Sequence, residues 1–232
     1  MNRVRSFAKY QLWDFRISVM VYYAILVAIA LFMVVRSGSP GDKMSLSGSS
    51  LIFIFVVGLN CFKQSFFFAQ ANNISRRTFH SATIVALIAL AAILSVADFV
   101  LDSAMSGYPF YAGLFEQMYQ ASWMAKILWT MSVLTFFASL GWMITMLYYR
   151  ANLIVKWIIS VVPIALIMMF VYTYENRTGS FGSAVVRFLA LAFGFSGEIP
   201  NPYPAILTFT LSSVALWAVN YLLMYRVPVK VH

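Results

Sequence analysis

The sequence predicts an all-α fold: a polytopic membrane protein with six transmembrane helices, an N-terminal amphipathic interface helix, and an outer re-entrant segment before the last helix. Three observations predict it. The first is composition, because 62% of the 232 residues are apolar and 10% are charged, where soluble domains carry about 25% charged residues. Too few polar side chains remain to cover a water-facing surface. The second is segment length, because a hydrocarbon layer about 30 Å thick needs roughly 20 apolar residues at about 1.5 Å each. Six runs have that length, at 17–35, 51–68, 79–101, 127–149, 154–174 and 205–225. The third is continuity. The runs lack the alternation of barrel strands, and in lipid an uninterrupted apolar run satisfies its own backbone only as a helix.

The whole chain, 1–232, reads as one transmembrane domain. In residues 1–16, Val4, Phe7, Ala8, Leu12 and Phe15 recur at helical spacing, while Arg3, Arg5, Lys9 and Arg16 supply charge and Trp13 a headgroup-level ring. That pattern predicts a helix lying at the interface. A cleaved signal peptide fits less well, because the charged region is long and no small-x-small site follows the first run. The first five spans occupy 17–174. Residues 175–204 form the outer region, in which 181–196 is apolar but short, with Arg187 near its middle and Gly182, Gly194 and Gly197 around it. We read this segment as dipping in and returning, or as lying at the interface. The sixth span is 205–225.

Charge sets the expected orientation. With six crossings one face holds Arg3, Arg5, Lys9, Arg16, Arg76, Arg77, Arg150, Lys156, Arg226 and Lys230, and the other Arg36, Lys43, Lys126, Arg177 and Arg187. Short cytoplasmic loops carry the Lys/Arg excess, so both termini are expected in the cytoplasm. Asp42, Asp98, Asp102, Glu116, Glu175 and Glu198 gather on the outer side. The net charge of +9 then lies against anionic headgroups, each basic residue contributing about 1 kcal/mol. No basic stripe interleaves with a soluble fold, so nucleic acid is not an expected partner. Cys61 is the single cysteine and cannot form an internal disulfide; His80 and His232 lack metal-ligand neighbours in sequence. Phosphate-binding, zinc-protease and nucleophile-elbow strings are missing, so neither catalysis nor a bound cofactor is expected in this chain.

Several positions stand out within this frame. Between the second and third runs the chain reads NNISRRTF, where Asn72, Asn73 and Ser75 are turn and capping types and Arg76 and Arg77 add charge. Such a stretch builds either a plain turn with two topology-setting arginines or a short helix that projects them toward a cytoplasmic partner. Asn60, Lys63 and Gln64 lie in the inner half of the second run. An ionisable group there either snorkels to the headgroups or faces a cavity, so the three are candidates for a translocation cavity. Asp98 and Asp102 share a helical face at the outer end of the third run and are expected on a solvated rim. Pro163 is expected to kink the fifth span, and Asn220 to join helices in the sixth.

An interface helix, six spans, an Asn/Ser/Arg hairpin after the second span and a re-entrant segment before the sixth resemble the permease subunits of ABC exporters of the ABC-type-2 class. The phrase NNISRRTF is similar to an Asn-x-x-Ser-Arg-Arg run common in bacterial members. The resemblance implies that Asn72, Asn73, Ser75, Arg76 and Arg77 couple the chain to a separate cytoplasmic ATPase, with 148–156 a lesser contact. It implies a second permease copy or paralogue, a bacterial inner (plasma) membrane, and ATP and Mg held by the ATPase. The few charges along the spans suit an amphipathic or hydrophobic cargo such as an exported peptide. The alternative is an ATPase-independent small channel or membrane scaffold.

Overall fold

The computed structural model describes residues 2–36, 45–152, 155–158, 160–161, 168, 180–197 and 199–225. Its elements among these are α1 (Asn2–Arg36), α2 (Ser47–Asn60), α3 (Lys63–Ala71), α4 (Arg76–Met105), α5 (Leu114–Met118), α6 (Trp123–Arg150), α7 (Ser180–Ala192) and α8 (Pro202–Tyr225). The described chain is all-helical. Five stretches are long and apolar enough to cross a membrane: Arg3–Val35, Ser47–Ala71, Arg76–Met105, Trp123–Arg150 and Pro202–Tyr225.

Two expected boundaries change. No separate helix covers 1–16, because α1 runs unbroken for 35 residues, about 52 Å at the α-helical rise. Neither glycine nor proline occurs between Asn2 and Arg36, so nothing stops a helix that has begun. The second run is split at Cys61 and Phe62, where α2 ends and α3 begins. Thr145 of α6 donates to the Leu59 carbonyl at 2.6 Å, and the Cys61 thiol donates to the Gly58 carbonyl. These side chains occupy carbonyls near the break. Most of 154–174, including Pro163, lies outside the described residues, although Val155 to Ile158 are helical.

Packing fixes how the helices run. Phe7 meets Phe79 at a ring separation of 5.7 Å, while farther along both helices Tyr23 bonds Asp98. Hence α1 and α4 are parallel. Ser47 of α2 reaches Asp102, and Phe66 of α3 reaches Phe79, so α2 and α3 descend against α4. Lys126 pairs with Asp102 and Trp142 lies beside His80, which makes α6 antiparallel to α4 as well. The last helix runs with α6: Phe209 packs on Phe136, and Trp217 bonds Ser139. The bundle therefore has a basic end, with Arg76, Arg77 and Arg150, and an acidic end, with Asp98, Asp102 and Glu116.

The tightest crossing joins α2 to α6. A Cβ on Gly58 would stand 2.2 Å from the Ala138 carbonyl oxygen, and one on Gly141 would stand 2.4 Å from the Phe55 carbonyl oxygen. Small residues allow this approach, as membrane helices require where no hydrophobic effect separates lipid from protein. Around it lies the main core, in which Phe62, Phe66, Phe79, Leu87, Leu94, Leu134, Trp142 and Met146 are buried. A polar seam crosses from α4 through α6 to α8. Trp217 Nε1 donates to Ser139 Oγ at 2.8 Å, buried Asn220 donates to the Ser139 carbonyl at 3.4 Å, and the His80 ring bonds the Trp217 carbonyl at 3.0 Å. The joining role expected of Asn220 is thus met.

Candidate functional site

At the basic end, the NNISRRTF stretch forms a compact elbow. Asn72 caps α3, and its side chain donates to the Phe68 carbonyl at 2.8 Å. Asn73 has φ of 52°, a left-handed conformation that asparagine tolerates better than other residues with a Cβ. The Ile74 amide donates to Ala69 at 2.9 Å and the Asn73 amide to Gln70 at 3.1 Å, the paired bonds of a Schellman helix end. Ser75 then caps α4, accepting from the Thr78 amide at 3.2 Å. One helix stops and the next starts within four residues. No separate short helix carries the arginines, as the docking reading expected; Arg76 and Arg77 occupy the first turn of α4.

Those two arginines sit where a helix dipole disfavours cations. Their partners lie on α8. Arg76 donates to the Met224 carbonyl at 3.2 Å and the Tyr225 carbonyl at 2.7 Å, Arg77 donates to the Tyr221 hydroxyl at 3.1 Å, and Arg150 of α6 donates to the Leu223 carbonyl at 3.2 Å. These carbonyls belong to the last described turn of α8, and cations are favoured toward the C-terminal end of a helix. Three arginines from α4 and α6 therefore clamp the last described stretch of α8. Asn72 and Asn73 remain exposed beside a groove of about 590 Å³ shared with Arg3, Ser6, Phe7, Tyr10 and Phe68.

Asn60, Lys63 and Gln64 are brought together at the helix break. They line one wall of a cavity of about 610 Å³ whose other walls include Asp14, Phe15 and Ser18 of α1 and Thr145 of α6. Asn60 donates back to the Val56 carbonyl at 2.8 Å. The Lys63 ammonium and the Asp14 carboxylate have neither hydrogen bond nor ion pair among the described residues.

The acidic end differs from expectation. Asp98 and Asp102 are 3% and 4% exposed, not on a solvated rim. Lys126 is buried with them, lying 2.8 Å from Asp102 and pairing also with Glu116. Asp102 accepts from Ser47 at 3.0 Å and from the Tyr111 hydroxyl; burial and the neighbouring carboxylate push the Tyr111 hydroxyl pKa above its ordinary value, so it stays a donor. Asp98 Oδ1 accepts from Tyr23 at 2.8 Å and Ser50 at 2.9 Å, and its Oδ2 has no hydrogen-bond partner among the described residues. This network ties α1, α2, α4, α5 and α6 together. Sequence reasoning missed it because its cation lies 24 residues beyond Asp102, although the spacing of the two aspartates did mark one shared face.

Beyond the network, Tyr119 stacks on Phe195 at 5.3 Å and donates to the Phe193 carbonyl at 2.7 Å. Gly194, at φ of 75°, ends α7. Its carbonyl accepts from the Asn201 amide at 2.9 Å, while Thr208 of α8 donates to the Ala192 carbonyl at 2.9 Å. The end of α7 thus lies beside the second turn of α8. The chain matches no family model, no curated protein and no solved structure.

Proposed function

We propose that this chain is the membrane-spanning permease subunit of an ATP-driven ABC exporter, working with a second permease and two separate ATPase subunits. The observation that carries the reading is the arginine clamp: the elbow at the basic end is bonded through Arg76 to the Met224 and Tyr225 carbonyls, in the last described turn of α8. A push on Asn72 and Asn73 passes through both caps into α3 and α4, and through Arg76 and Arg77 into α8. A coupling element needs that rigidity, since work delivered to a floppy turn is dissipated before it moves a helix. ATP and Mg belong to the partner in this reading, and the basic end faces the cytoplasm of a bacterial cell.

Six crossings are supported by direction. Both α6 and α8 run from the acidic end to the basic end, so the chain from 151 to 201 has to regain the acidic end. A fifth span at 154–174 supplies the return, and α7, whose end reaches the second turn of α8, then serves as the outer re-entrant segment. The cargo is amphipathic or hydrophobic, a peptide in our reading, because the apolar runs carry few charges and scattered Asn, Gln, Ser and Thr. The cleft lined by Asn60, Lys63 and Gln64 is a candidate entrance. A channel or scaffold without an ATPase is favoured by one observation only, that Arg76 and Arg77 spend donors within the chain.

Co-purification with a candidate ATPase tests the proposal. Asn72→Phe, which adds bulk to the exposed elbow at a backbone φ of −96° that any residue adopts, is expected to lower stimulated ATP hydrolysis by about tenfold, equivalent to ~1.4 kcal/mol of coupling. Arg76→Ala is expected to leave the complex assembled but to uncouple hydrolysis from transport. Unchanged stimulation and transport in both variants, or no complex with wild type, overturns the reading.

A further inference from the structure

We propose that the cavity at the α2–α3 break is a binding site for the headgroup of a zwitterionic phospholipid bearing a primary ammonium, of the phosphatidylethanolamine type. The cavity joins one cation and one anion that do not use each other: Lys63 from α3 and Asp14 from α1, both without ion pairs among the described residues. A simple anion drawn to Lys63 meets repulsion from Asp14, and a simple cation meets the reverse. A ligand that carries both signs a few bonds apart satisfies both walls. Asn60 and Gln64 add neutral donors and acceptors for phosphate and ester oxygens.

Depth makes that ligand a lipid. The apolar run of α1 begins at residue 17, immediately after Arg16, whose guanidinium lies 3.5 Å over the Trp13 ring. An aromatic ring and a basic residue at that point mark headgroup level. Asp14 lies between them, while Asn60, Lys63 and Gln64 come from the inner half of the second apolar run, so the cavity they share spans the step from headgroup to hydrocarbon. Toward the acidic end the wall turns apolar, through Phe15 and Phe53. Exposed Ile17 and Ile52 continue along the outer surface of the same two helices. A headgroup at Asp14 and Lys63 would send its acyl chains along that surface. At about 610 Å³ the cavity lies within the range of small-molecule sites. Neither an ATPase nor a second permease enters this inference.

The two charges make separable predictions. A primary ammonium donates hydrogen bonds to Asp14, whereas a quaternary choline has no N–H, and a glycerol headgroup has no positive charge. Native mass spectrometry of the detergent-purified chain, equilibrated with equimolar dioleoyl-phosphatidylethanolamine, -phosphatidylcholine and -phosphatidylglycerol, reads retention directly. Wild type is expected to retain the ethanolamine lipid about tenfold over either competitor, the ratio one charge-assisted hydrogen bond supplies. Asp14→Asn is expected to abolish discrimination between ethanolamine and choline lipids. Lys63→Gln is expected to reduce retention of all three lipids, and the reversed pair Asp14→Lys with Lys63→Asp to restore the ethanolamine preference. Equal retention by wild type, or a preference for the glycerol lipid, overturns the proposal; the wild-type comparison decides even if a variant fails to fold. An ethanolamine preference unchanged by both single variants also overturns it, because the lipid then binds elsewhere.

Discussion

Lys126 lies between two carboxylates, Asp102 and Glu116, and is itself buried, so its charge cannot be removed without leaving Asp102 uncompensated inside the bundle. Breaking a buried pair from one side typically costs about 3–5 kcal/mol, whereas replacing both partners by apolar groups is often neutral. Lys126→Met is accordingly expected to lower the thermal unfolding midpoint in detergent sharply, and Lys126→Met with Asp102→Leu to recover most of the loss. An equal loss in both forms would show that the lysine acts through packing of its stem. The same residues mark the limit of sequence reading. That Asp98 and Asp102 share a face follows from helical spacing, but their burial does not, because it depends on Lys126, Tyr23 and Ser50 from three other helices. At the other end Asn72, Asn73 and Ser75 were legible as caps, since each acts on backbone within a few residues. The partners of Arg76 lie some 148 positions away on α8 and were not.

At the scale of elements, runs of apolar residues located the described long helices, because the requirement to satisfy every backbone group in lipid leaves little choice. The break in the second run was hidden, as no glycine or proline marks Cys61 and Phe62 and the bond that occupies the Leu59 carbonyl comes from Thr145 on α6. The α2–α6 crossing depends on Gly58 and Gly141, each facing backbone of the other helix. Backbone cannot swing aside like a flexible side chain. Overpacking commonly costs about 1–3 kcal/mol, and we expect Gly58→Leu and Gly141→Leu at or above the top of that range. Gly48→Leu is the control, with open space around its Cβ position, and is expected to change the unfolding midpoint little.

The whole molecule is polarised. Arginines clamp one end of the bundle, and buried carboxylates with a lysine hold the other. Charge counting along the sequence anticipated the segregation, whereas the directions of α6 and α8 emerge only from contacts. Those directions make topology directly testable. Cys61 is 1% exposed, so the chain provides a nearly silent background for engineered thiols. Asn73→Cys places one at the exposed basic-end elbow, and Gly107→Cys places one on the exposed acidic-end loop, where its Cβ meets nothing within 4 Å. In intact cells a membrane-impermeant maleimide is expected to label position 107 and to spare position 73, which should react only after permeabilisation. The reverse result would turn the bundle over and remove the elbow from any cytoplasmic ATPase. Labelling of both positions in intact cells would mean that the two ends do not lie on opposite sides of the membrane.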